Sequence, residues 1–327
     1  MDTFNISIRK AERMFRTIVA TIALSLLLVT ATGAQTTAEW KKLKGDINLF
    51  VANDLGRNGY YDQKPIAELM GQMAEEIGPE AIIATGDVHH FDGVVSVNDP
   101  LWMTNYEQIY AHPELMISWF PVLGNHEYRG NTQAVLDYAK VSRRWQMEDR
   151  YYTKVFTDEE SGVSVRVILI DTTPLIDKYR SDSRYPDAGN QDIQRQLQWL
   201  DATLQASRET WTIVVGHHPI YAETKKDIVE QEDMRRLVLP ILRKHNVDMY
   251  ICGHIHNFQH ITMPSDPIDF VVNTAGSLSR KVKPIEGTRF CSPATGFSVI
   301  SATKQSLSLY MIDSKGVVIY ATPPRKH

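Results

Sequence analysis

The sequence has little cysteine and little net charge. Two cysteines among 327 residues exclude a disulfide-stabilised scaffold and any site built from four thiolates. The 35 Lys and Arg residues nearly balance the 39 Asp and Glu residues, which leaves a formal charge of −4, so neither nucleic acid nor an acidic membrane is an expected partner. The ordinary apolar and charged fractions, 43% and 23%, exclude disordered, collagen and coiled-coil classes. Histidine, in contrast, is abundant at 11 residues.

Long apolar runs are also scarce, and the longest lies near the N-terminus. It spans residues 17–31, follows a basic segment at residues 9–16 and precedes small residues that end at Ala34. This order predicts a signal peptide over residues 1–34, with Met14 as a second candidate start. A bilayer-spanning helix needs about 20 apolar residues, so an uncleaved signal anchor is the minor alternative. The prediction is a secreted or periplasmic protein without stable membrane insertion after cleavage.

Apolar segments of strand length recur along the mature chain. The first of them cover residues 47–52, 81–84, 117–123, 163–170, 211–215, 247–252 and 270–272. Amphipathic helical patterns at residues 66–77 and 197–204 lie between some of these segments, and such alternation predicts an α/β fold with a largely parallel, covered sheet. After His256 the pattern changes to short strands, at residues 297–301, 307–312 and 317–320. We expect one domain over residues 35–327, closed by a β-rich half, although the length alone allows two domains.

Five of the predicted strands end in polar residues that commonly bind metals. The residues at these strand ends are Asp54, Asp87, His90, Asn125, His126, His217, His254 and His256. The carboxyl ends of strands line the ligand crevice of α/β sheets, so we expect these side chains to converge. A single residue of this kind is usually a turn or cap residue, but five such strand ends in one chain form a much stronger joint signal.

The chemistry of this set favours two metal ions. Carboxylate, amide and imidazole donors without a thiolate suit Zn, Fe or Mn, and about eight donors are too many for one tetrahedral site. Two ions that share a carboxylate can stabilise the attacking and leaving oxygens of a phosphoryl displacement. Two divalent ions, two aspartates and a bridging hydroxide leave a local charge of about +1. The sequence therefore predicts a small phosphorylated substrate, although the whole protein is acidic.

The order of these motifs resembles the calcineurin-like metallophosphoesterases. Within that superfamily it is most similar to the tartrate-resistant (purple) acid phosphatases, because Asp54-Leu55-Gly56 has their Asp-x-Gly form and residues 138–145 and 250–259 are similar to theirs. The resemblance covers nearly all of residues 46–322. It implies a four-layer αββα sandwich and a phosphatase with two metal ions.

The resemblance also implies roles for individual residues. It assigns the first metal to Asp54, Asp87, His90 and His256. It assigns the second metal to Asp87, which bridges, and to Asn125, His217 and His254. His126 would contact phosphate and assist departure of the leaving group, and Glu127 beside it is the second catalytic candidate, as an orienting group.

The sequence departs from this family near the site, for example at Asn53 and Leu55, where the subgroup often has Gly and Trp. His90 stands where the purple acid phosphatases have a tyrosine, so the purple colour, which arises from tyrosinate bound to ferric iron, is not expected; His89 is the neighbouring candidate for the same position. The loop after His217 lacks the family's histidine near the substrate. Lys225 or Lys226 could contact phosphate there, although a solvated lysine pair is favoured, and His218 is expected to be a wall residue.

The sequence thus predicts an exported phosphatase that hydrolyses phosphomonoesters by attack of metal-bound hydroxide. A phosphodiesterase or nucleotidase with the same metal centre is the alternative, since no residue pattern indicates the leaving group. A non-catalytic metal-binding protein is a third hypothesis, against which the complete donor set and His126 argue. Whether Cys252 and Cys291 pair stays open, as does the oligomeric state.

Overall fold

The computed structural model describes residues 37–226, 228–264 and 266–326. The predicted signal peptide lies outside the described residues. The chain divides into two units, Met1–Lys42 and Leu43–His327, and every element named below belongs to the second unit. Among the described residues, no helix has both the length and the hydropathy needed to cross a membrane.

Thirteen strands are found in the described part of this unit. They are β1 (Ile47–Ala52), β2 (Ala81–Ala84), β3 (Ser118–Pro121), β4 (Tyr152–Thr157), β5 (Ser164–Leu169), β6 (Trp211–Val215), β7 (Met249–Cys252), β8 (Phe258–Ile261), β9 (Asp269–Val272), β10 (Thr288–Ser292), β11 (Gly296–Ala302), β12 (Leu307–Asp313) and β13 (Val318–Ala321). The α-helices are α1 (Gln63–Ile77), α2 (Thr132–Asp137), α3 (Asp177–Ser181), α4 (Ile193–Ala206), α5 (Val229–Leu237) and α6 (Leu239–Lys244).

The strands form two mixed sheets. The first sheet has the order β13-β12-β11-β1-β2-β3 and the second the order β10-β8-β9-β7-β6-β5-β4. Strands β1, β2 and β3 run parallel in the first sheet, and β5, β6, β7 and β9 run parallel in the second. These parallel strands are the apolar segments that the sequence predicts, and three of the seven, β1, β2 and β7, are buried along their whole length, as strands covered on both faces should be.

The expected β-rich half does not exist as a separate half. Strands β11 to β13 extend the first sheet, where β11 pairs antiparallel with β1, whereas β8 to β10 extend the second sheet beside β7. Strands β4, β8 and β10 were not predicted. Strand β4 is a half-exposed edge strand without a regular apolar pattern, and β10 is likewise an edge strand that pairs only with β8.

The two longest α-helices of this unit each bury one face. In α1 the predicted apolar face, Ile66 to Ile77, is buried, and α4 buries Leu197, Leu200 and Leu204. The result is the four-layer αββα sandwich that the resemblance implied. Cys252 in β7 and Cys291 in β10 are unpaired, because β9 and β8 lie between their strands.

The two sheets meet where their parallel strands end. The Asp54 amide donates to the Gly86 carbonyl at 3.2 Å, which joins the ends of β1 and β2. The Gly253 amide donates to the His217 carbonyl at 3.0 Å, which joins the ends of β6 and β7. Between the sheets, the His254 amide donates to Asp54 Oδ2 at 3.0 Å, although 200 residues separate them. The strand ends therefore converge, as the sequence predicts.

Candidate metal centre

The backbone at these strand ends takes an unusual conformation. Asp54, Asp87, His254 and His256 have φ angles of 46°, 52°, 70° and 62°. Non-glycine residues are uncommon in the left-handed region and cluster at functional sites, where their side chains need a particular direction. In this chain the conformation turns the side chain out of the strand line and into the space between the sheets.

Glycines beside these residues permit very close approach. A Cβ on Gly124 would lie 2.2 Å from Asp87 Oδ1, and one on Gly86 would lie 2.5 Å from His217 Nδ1. Any side chain there would displace a carboxylate or an imidazole of the cluster. The glycines that the sequence shows before Asn125 and Asp87 therefore provide room for the polar side chains.

The first group of converging donors surrounds Asp54. His256 Nε2 lies 3.0 Å from Asp54 Oδ1, and His90 Nε2 lies 3.7 Å from both Asp54 Oδ1 and Asp87 Oδ2. The other ring nitrogen of His256 donates to the Leu278 carbonyl at 2.9 Å, which turns the Nε2 lone pair toward the carboxylates.

The second group surrounds His217 and shares Asp87 with the first. His217 Nε2 lies 3.1 Å from Asp87 Oδ2, 3.3 Å from Asn125 Oδ1 and 3.1 Å from His254 Nδ1. His217 Nδ1 donates to the Thr85 carbonyl at 2.8 Å, which leaves Nε2 to face the cluster. Asp87 Oδ2 is thus near donors of both groups.

These residues fit two metal ions. Metal–ligand bonds of about 2.0–2.2 Å in a tetrahedral site place the ligand atoms about 3.3–3.6 Å apart, close to the 3.0–3.7 Å separations of the two groups. Both ring nitrogens of His90 are buried and lack a hydrogen-bond partner among the described residues, which is costly for a polar group unless another ligand satisfies it. Histidines whose second nitrogen is held by an acceptor are typical of metal ligands.

The electrostatics of the cluster favour a bound cation. Burial opposes ionisation of Asp87, but His217, His126 and His90 outweigh burial and hold the pKa of Asp87 well below its ordinary value. Burial lowers the pKa of His217, but the Asp87 and Asp54 carboxylates outweigh it and raise that pKa to about 9. Burial lowers the pKa of His90, so this ring is neutral and the lone pair of one ring nitrogen is available. Metal ligands must be deprotonated to bind, so a metal ion would displace the proton that the Asp87 and Asp54 carboxylates hold on His217.

Glu127 ties two of the loops together. Its buried carboxylate accepts hydrogen bonds from the amides of Asp87, His89 and Gly124 at 2.8–3.0 Å. It therefore holds the loops after β2 and β3 at a fixed distance. Its contacts are with backbone rather than with the ring of His126, so any orienting role acts on these loops.

Glu230 is a site residue that the sequence did not indicate. It lies on α5, where it is buried, and its Oε2 accepts from His254 Nε2 at 2.9 Å, while Tyr179 Oη donates to its Oε1 at 2.6 Å. This contact directs His254 Nδ1 toward the second group. Position 230 follows His217 by 13 residues and has no motif around it, so only the folded chain reveals it.

Removal of Glu230 is expected to weaken the second metal site. We expect Glu230→Ala to lower the affinity for the second metal equivalent by about 10-fold to 100-fold, because the His254 ring loses the acceptor that orients it. Titration of the metal-free protein with Zn²⁺ in a calorimeter measures this change. Glu232→Ala, an exposed position on the same helix, is the control; equal affinities in both variants would show that Glu230 does not position His254.

Cations outnumber acidic side chains at the entrance of the cluster, five to two. A cleft of about 390 Å³ opens beside it, lined by Asn125, His126, Arg129, Lys178, Tyr179, Asp182, Arg184, Tyr185, Lys226, Glu230, His254 and Arg280. His126 lies in this cleft with Nε2 3.8 Å from Asp87 Oδ2, and its Nδ1 donates to the Phe91 carbonyl at 2.5 Å. The sequence did not indicate Arg129 or Arg280, since neither belongs to a motif.

The sequence favours a lysine pair, Lys225 and Lys226, that is exposed to solvent, and this prediction is wrong for Lys226. Lys226 Nζ lies 2.8 Å from the His254 carbonyl and 2.9 Å from His254 Nε2, and burial lowers its pKa to about 8. Lys225 is exposed, as predicted. The loop turns the second lysine inward and leaves the first in solvent, a distinction that no pattern in two adjacent lysines can show.

The remaining histidines lie apart from the two groups or at their edge. His89 packs edge-on against Trp102, with ring centroids 4.3 Å apart, and lies near Asn105, so His90 and not His89 joins the cluster. His218 Nδ1 lies 2.8 Å from Thr172 Oγ1, and its ring flanks that of His254. Acidic partners hold the others, with His112 near Glu75, His245 near Asp201 and His260 near Asp269. His327 lies outside the described residues.

A buried carboxyl after β5 supports the loop that carries His126. Tyr128 Oη donates to Asp171 Oδ2 at 2.5 Å, and burial, only partly offset by Arg150, raises the pKa of Asp171 from 3.8 to about 7. The folded state therefore holds a proton that the unfolded chain releases near pH 4. This group lowers the free energy of unfolding as the pH rises from about 4 to about 7.

We expect Asp171→Asn to remove this pH dependence. The difference in unfolding free energy, wild type minus variant, should fall by up to about 1.4 kcal/mol per pH unit between pH 5 and pH 7 and level off above pH 8. Urea unfolding at pH 5, 6, 7 and 8 measures it. A difference that is constant over this range would show that Asp171 is already ionised at pH 5.

Comparison with known sequences agrees with this site. A sequence model of the calcineurin-like phosphoesterase family matches residues 47–258, a range that includes both groups of donors. Purple acid phosphatase 4 of Arabidopsis thaliana is 32% identical over 83% of this chain and 81% of its own length. Tartrate-resistant acid phosphatase type 5 of Sus scrofa is 29% identical over 80% of each chain.

Solved structures share the fold. GAP50, the anchor in the inner membrane complex of Plasmodium, aligns with a TM-score of 0.72 at 24% identity over 86% of this chain and 89% of its own. The purple acid phosphatase PPD1 of yellow lupin aligns with a TM-score of 0.59 at 16% identity over 84% of this chain and 53% of its own. The chain therefore belongs to the calcineurin-like phosphoesterase family of hydrolases, on the branch of the purple acid phosphatases, which use a dinuclear metal centre.

Proposed function

We propose that this protein is an exported phosphatase that hydrolyses phosphomonoesters with two metal ions. The observation that carries the proposal is the shared position of Asp87 Oδ2, 3.7 Å from His90 Nε2 in one donor group and 3.1 Å from His217 Nε2 in the other. Asp54, Asp87, His90 and His256 would hold the first ion. Asp87, Asn125, His217 and His254 would hold the second ion.

The bound ions would supply Lewis-acid stabilisation of the phosphoryl oxygens and a water of lowered pKa. Side chains of the protein would orient the substrate and donate a proton to the leaving group. In the reaction a bond forms between a water oxygen and phosphorus, the bond from phosphorus to the leaving oxygen breaks, and that oxygen receives a proton. The cations Arg129, Lys226 and Arg280 line the cleft and would attract the phosphate before reaction.

His126 is the proposed proton donor. Its Nδ1–H is held by the Phe91 carbonyl, so the ring is fixed and Nε2 faces the cleft beside Asp87. A fixed imidazole that can carry a proton on Nε2 suits a general acid. Arg129 Nη1 also donates to the Phe91 carbonyl, at 3.3 Å, so this carbonyl is an acceptor for both Arg129 and His126.

The imidazole at position 90 favours a colourless centre of Zn, Mn or ferrous iron. Purified wild type should show no strong visible band that is lost on reduction, because no tyrosinate occupies this position to transfer charge to ferric iron. His90→Tyr loaded with iron should gain such a band, measured by visible absorption before and after dithionite. A reducible band in the wild type would contradict the proposal.

Export and substrate choice complete the proposal. The N-terminal sequence supports a signal peptide over residues 1–34 that precedes a single catalytic domain over residues 35–327, and N-terminal sequencing of protein secreted from an expression host tests it.

The phosphomonoester assignment is tested by comparing p-nitrophenyl phosphate with bis(p-nitrophenyl) phosphate. A higher kcat/KM for the diester would favour the phosphodiesterase, and hydrolysis of neither would favour a non-catalytic metal-binding protein.

A further inference from the structure

A second cleft adjoins the one at the metal centre. It has a volume of about 410 Å³, within the usual range of about 300–1,000 Å³ for ligand pockets, and is lined by Thr224, Lys225, Lys226, Ile255, Asn257, Arg280 and Lys281. Four of these seven residues are cations and none is acidic. The described lining of this cleft is therefore positively charged, whereas the protein as a whole carries −4.

Three of the four cations of this second cleft lie in solvent, and the fourth, Lys226, is hydrogen-bonded to His254. Lys225, Arg280 and Lys281 are exposed, and none of the four cations forms an ion pair with a carboxylate of the residues that the structure describes. The first cleft differs, because there Lys178 pairs with Glu230 and Arg184 with Asp182. Four like charges around one cleft repel one another, and an anion would relieve that repulsion.

Two residues connect the two clefts. Lys226 and Arg280 line both of them. Each is also attached to a proposed metal ligand, since Lys226 Nζ donates to the His254 carbonyl at 2.8 Å and the Arg280 amide donates to the His256 carbonyl at 2.7 Å. An anion in the second cleft would therefore lie beside the metal centre, on the side of these two histidines.

We infer that the second cleft binds a further phosphate group on the leaving group of the substrate. This inference rests on the proposed phosphatase function and narrows its substrate class to molecules with two or more phosphates. Lysine and arginine are the residues that bind phosphate in proteins, and the size of the cleft suits a small molecule. Polyphosphate chains, nucleoside triphosphates and sugar bisphosphates share this chemistry.

The test removes the two cations that line only the second cleft. Lys225→Gln/Lys281→Gln is compared with Lys304→Gln/Lys315→Gln, which removes two exposed charges outside either cleft. Metal-loaded enzymes are assayed at low salt with p-nitrophenyl phosphate, tripolyphosphate, a nucleoside triphosphate and fructose 1,6-bisphosphate. The last three separate the sources of the second phosphate.

We expect the cleft variant to lose about fivefold to thirtyfold in kcat/KM for at least one substrate with several phosphates, from two lost charge interactions. Its kcat/KM for p-nitrophenyl phosphate should stay within about twofold, and the loss should shrink as salt rises. Equal losses on all four substrates, or no loss on any, would overturn the inference.

Failure of the proposed function gives a different result. If wild type hydrolyses none of the four substrates, the phosphatase proposal fails, and binding of tripolyphosphate is measured by calorimetry instead. A Kd at least fivefold weaker in the cleft variant than in the control variant would still support the anion site. Equal Kd values in the two variants would overturn it.

Discussion

Replacement of Asp87 by alanine is expected to lower kcat/KM for p-nitrophenyl phosphate by about 1,000-fold or more. Asp87 Oδ2 lies within 3.7 Å of both His90 Nε2 and His217 Nε2, so its loss removes a ligand from each proposed metal ion at once. Metal ions stabilise charge in the transition state by several kcal/mol, and about 4 kcal/mol corresponds to 1,000-fold in rate.

Two controls separate this effect from a general loss of structure. Asp92→Asn changes an exposed carboxyl in the same loop and should keep wild-type activity. Asp87→Asn keeps the size and one oxygen of the side chain, so it should fold normally and retain more metal than Asp87→Ala. If Asp87→Ala remains folded by circular dichroism and keeps more than a tenth of wild-type kcat/KM, the bridging assignment is wrong.

Replacement of His126 by alanine is expected to have the second largest effect, and its size should depend on the leaving group. For an alkyl phosphate, whose leaving oxygen needs a proton, kcat should fall by about 100-fold to 10,000-fold. For p-nitrophenyl phosphate the loss should be at least tenfold smaller, because nitrophenolate leaves without a proton. Steady-state kinetics with both substrates measure the ratio.

The dependence on leaving group is what distinguishes a proton donor from a phosphate contact. A residue that only binds the phosphate would slow both substrates equally, so equal losses would contradict the role proposed for His126. His112→Ala is the matched control, because His112 is also partly exposed but lies in neither cleft. It should change neither rate.

The strand ends and the cluster were predictable because apolar strand segments and short polar motifs are local signals. The segments at β1, β2, β6 and β7 were placed within two residues of their observed bounds. The motif residues at their ends converge because parallel strands of a sheet end on the same side. His90 was separated from His89 by its spacing from Asp87, and the structure places His90 among the donors.

Other parts of the site depend on contacts that are distant in sequence. Glu230 reaches His254 from a helix whose sequence has no motif, and Lys226 turns inward while Lys225 does not. Edge strands such as β4 lack the apolar alternation that marks a half-buried strand. The C-terminal strands divide between the two sheets because β11 pairs with β1 in the first sheet, whereas β8 pairs with β9 in the second. Such features arise from tertiary packing, which a single sequence does not display.

Metal stoichiometry of the active enzyme tests the proposed centre most directly. Metal-free wild type is titrated with Zn²⁺ and, separately, with Mn²⁺ while hydrolysis of p-nitrophenyl phosphate is followed, and bound metal is counted by elemental analysis. We predict that activity reaches its maximum at two equivalents per chain and that Asp87→Ala neither binds two equivalents nor becomes active. Full activity with one equivalent, or with none, would contradict the two-metal assignment.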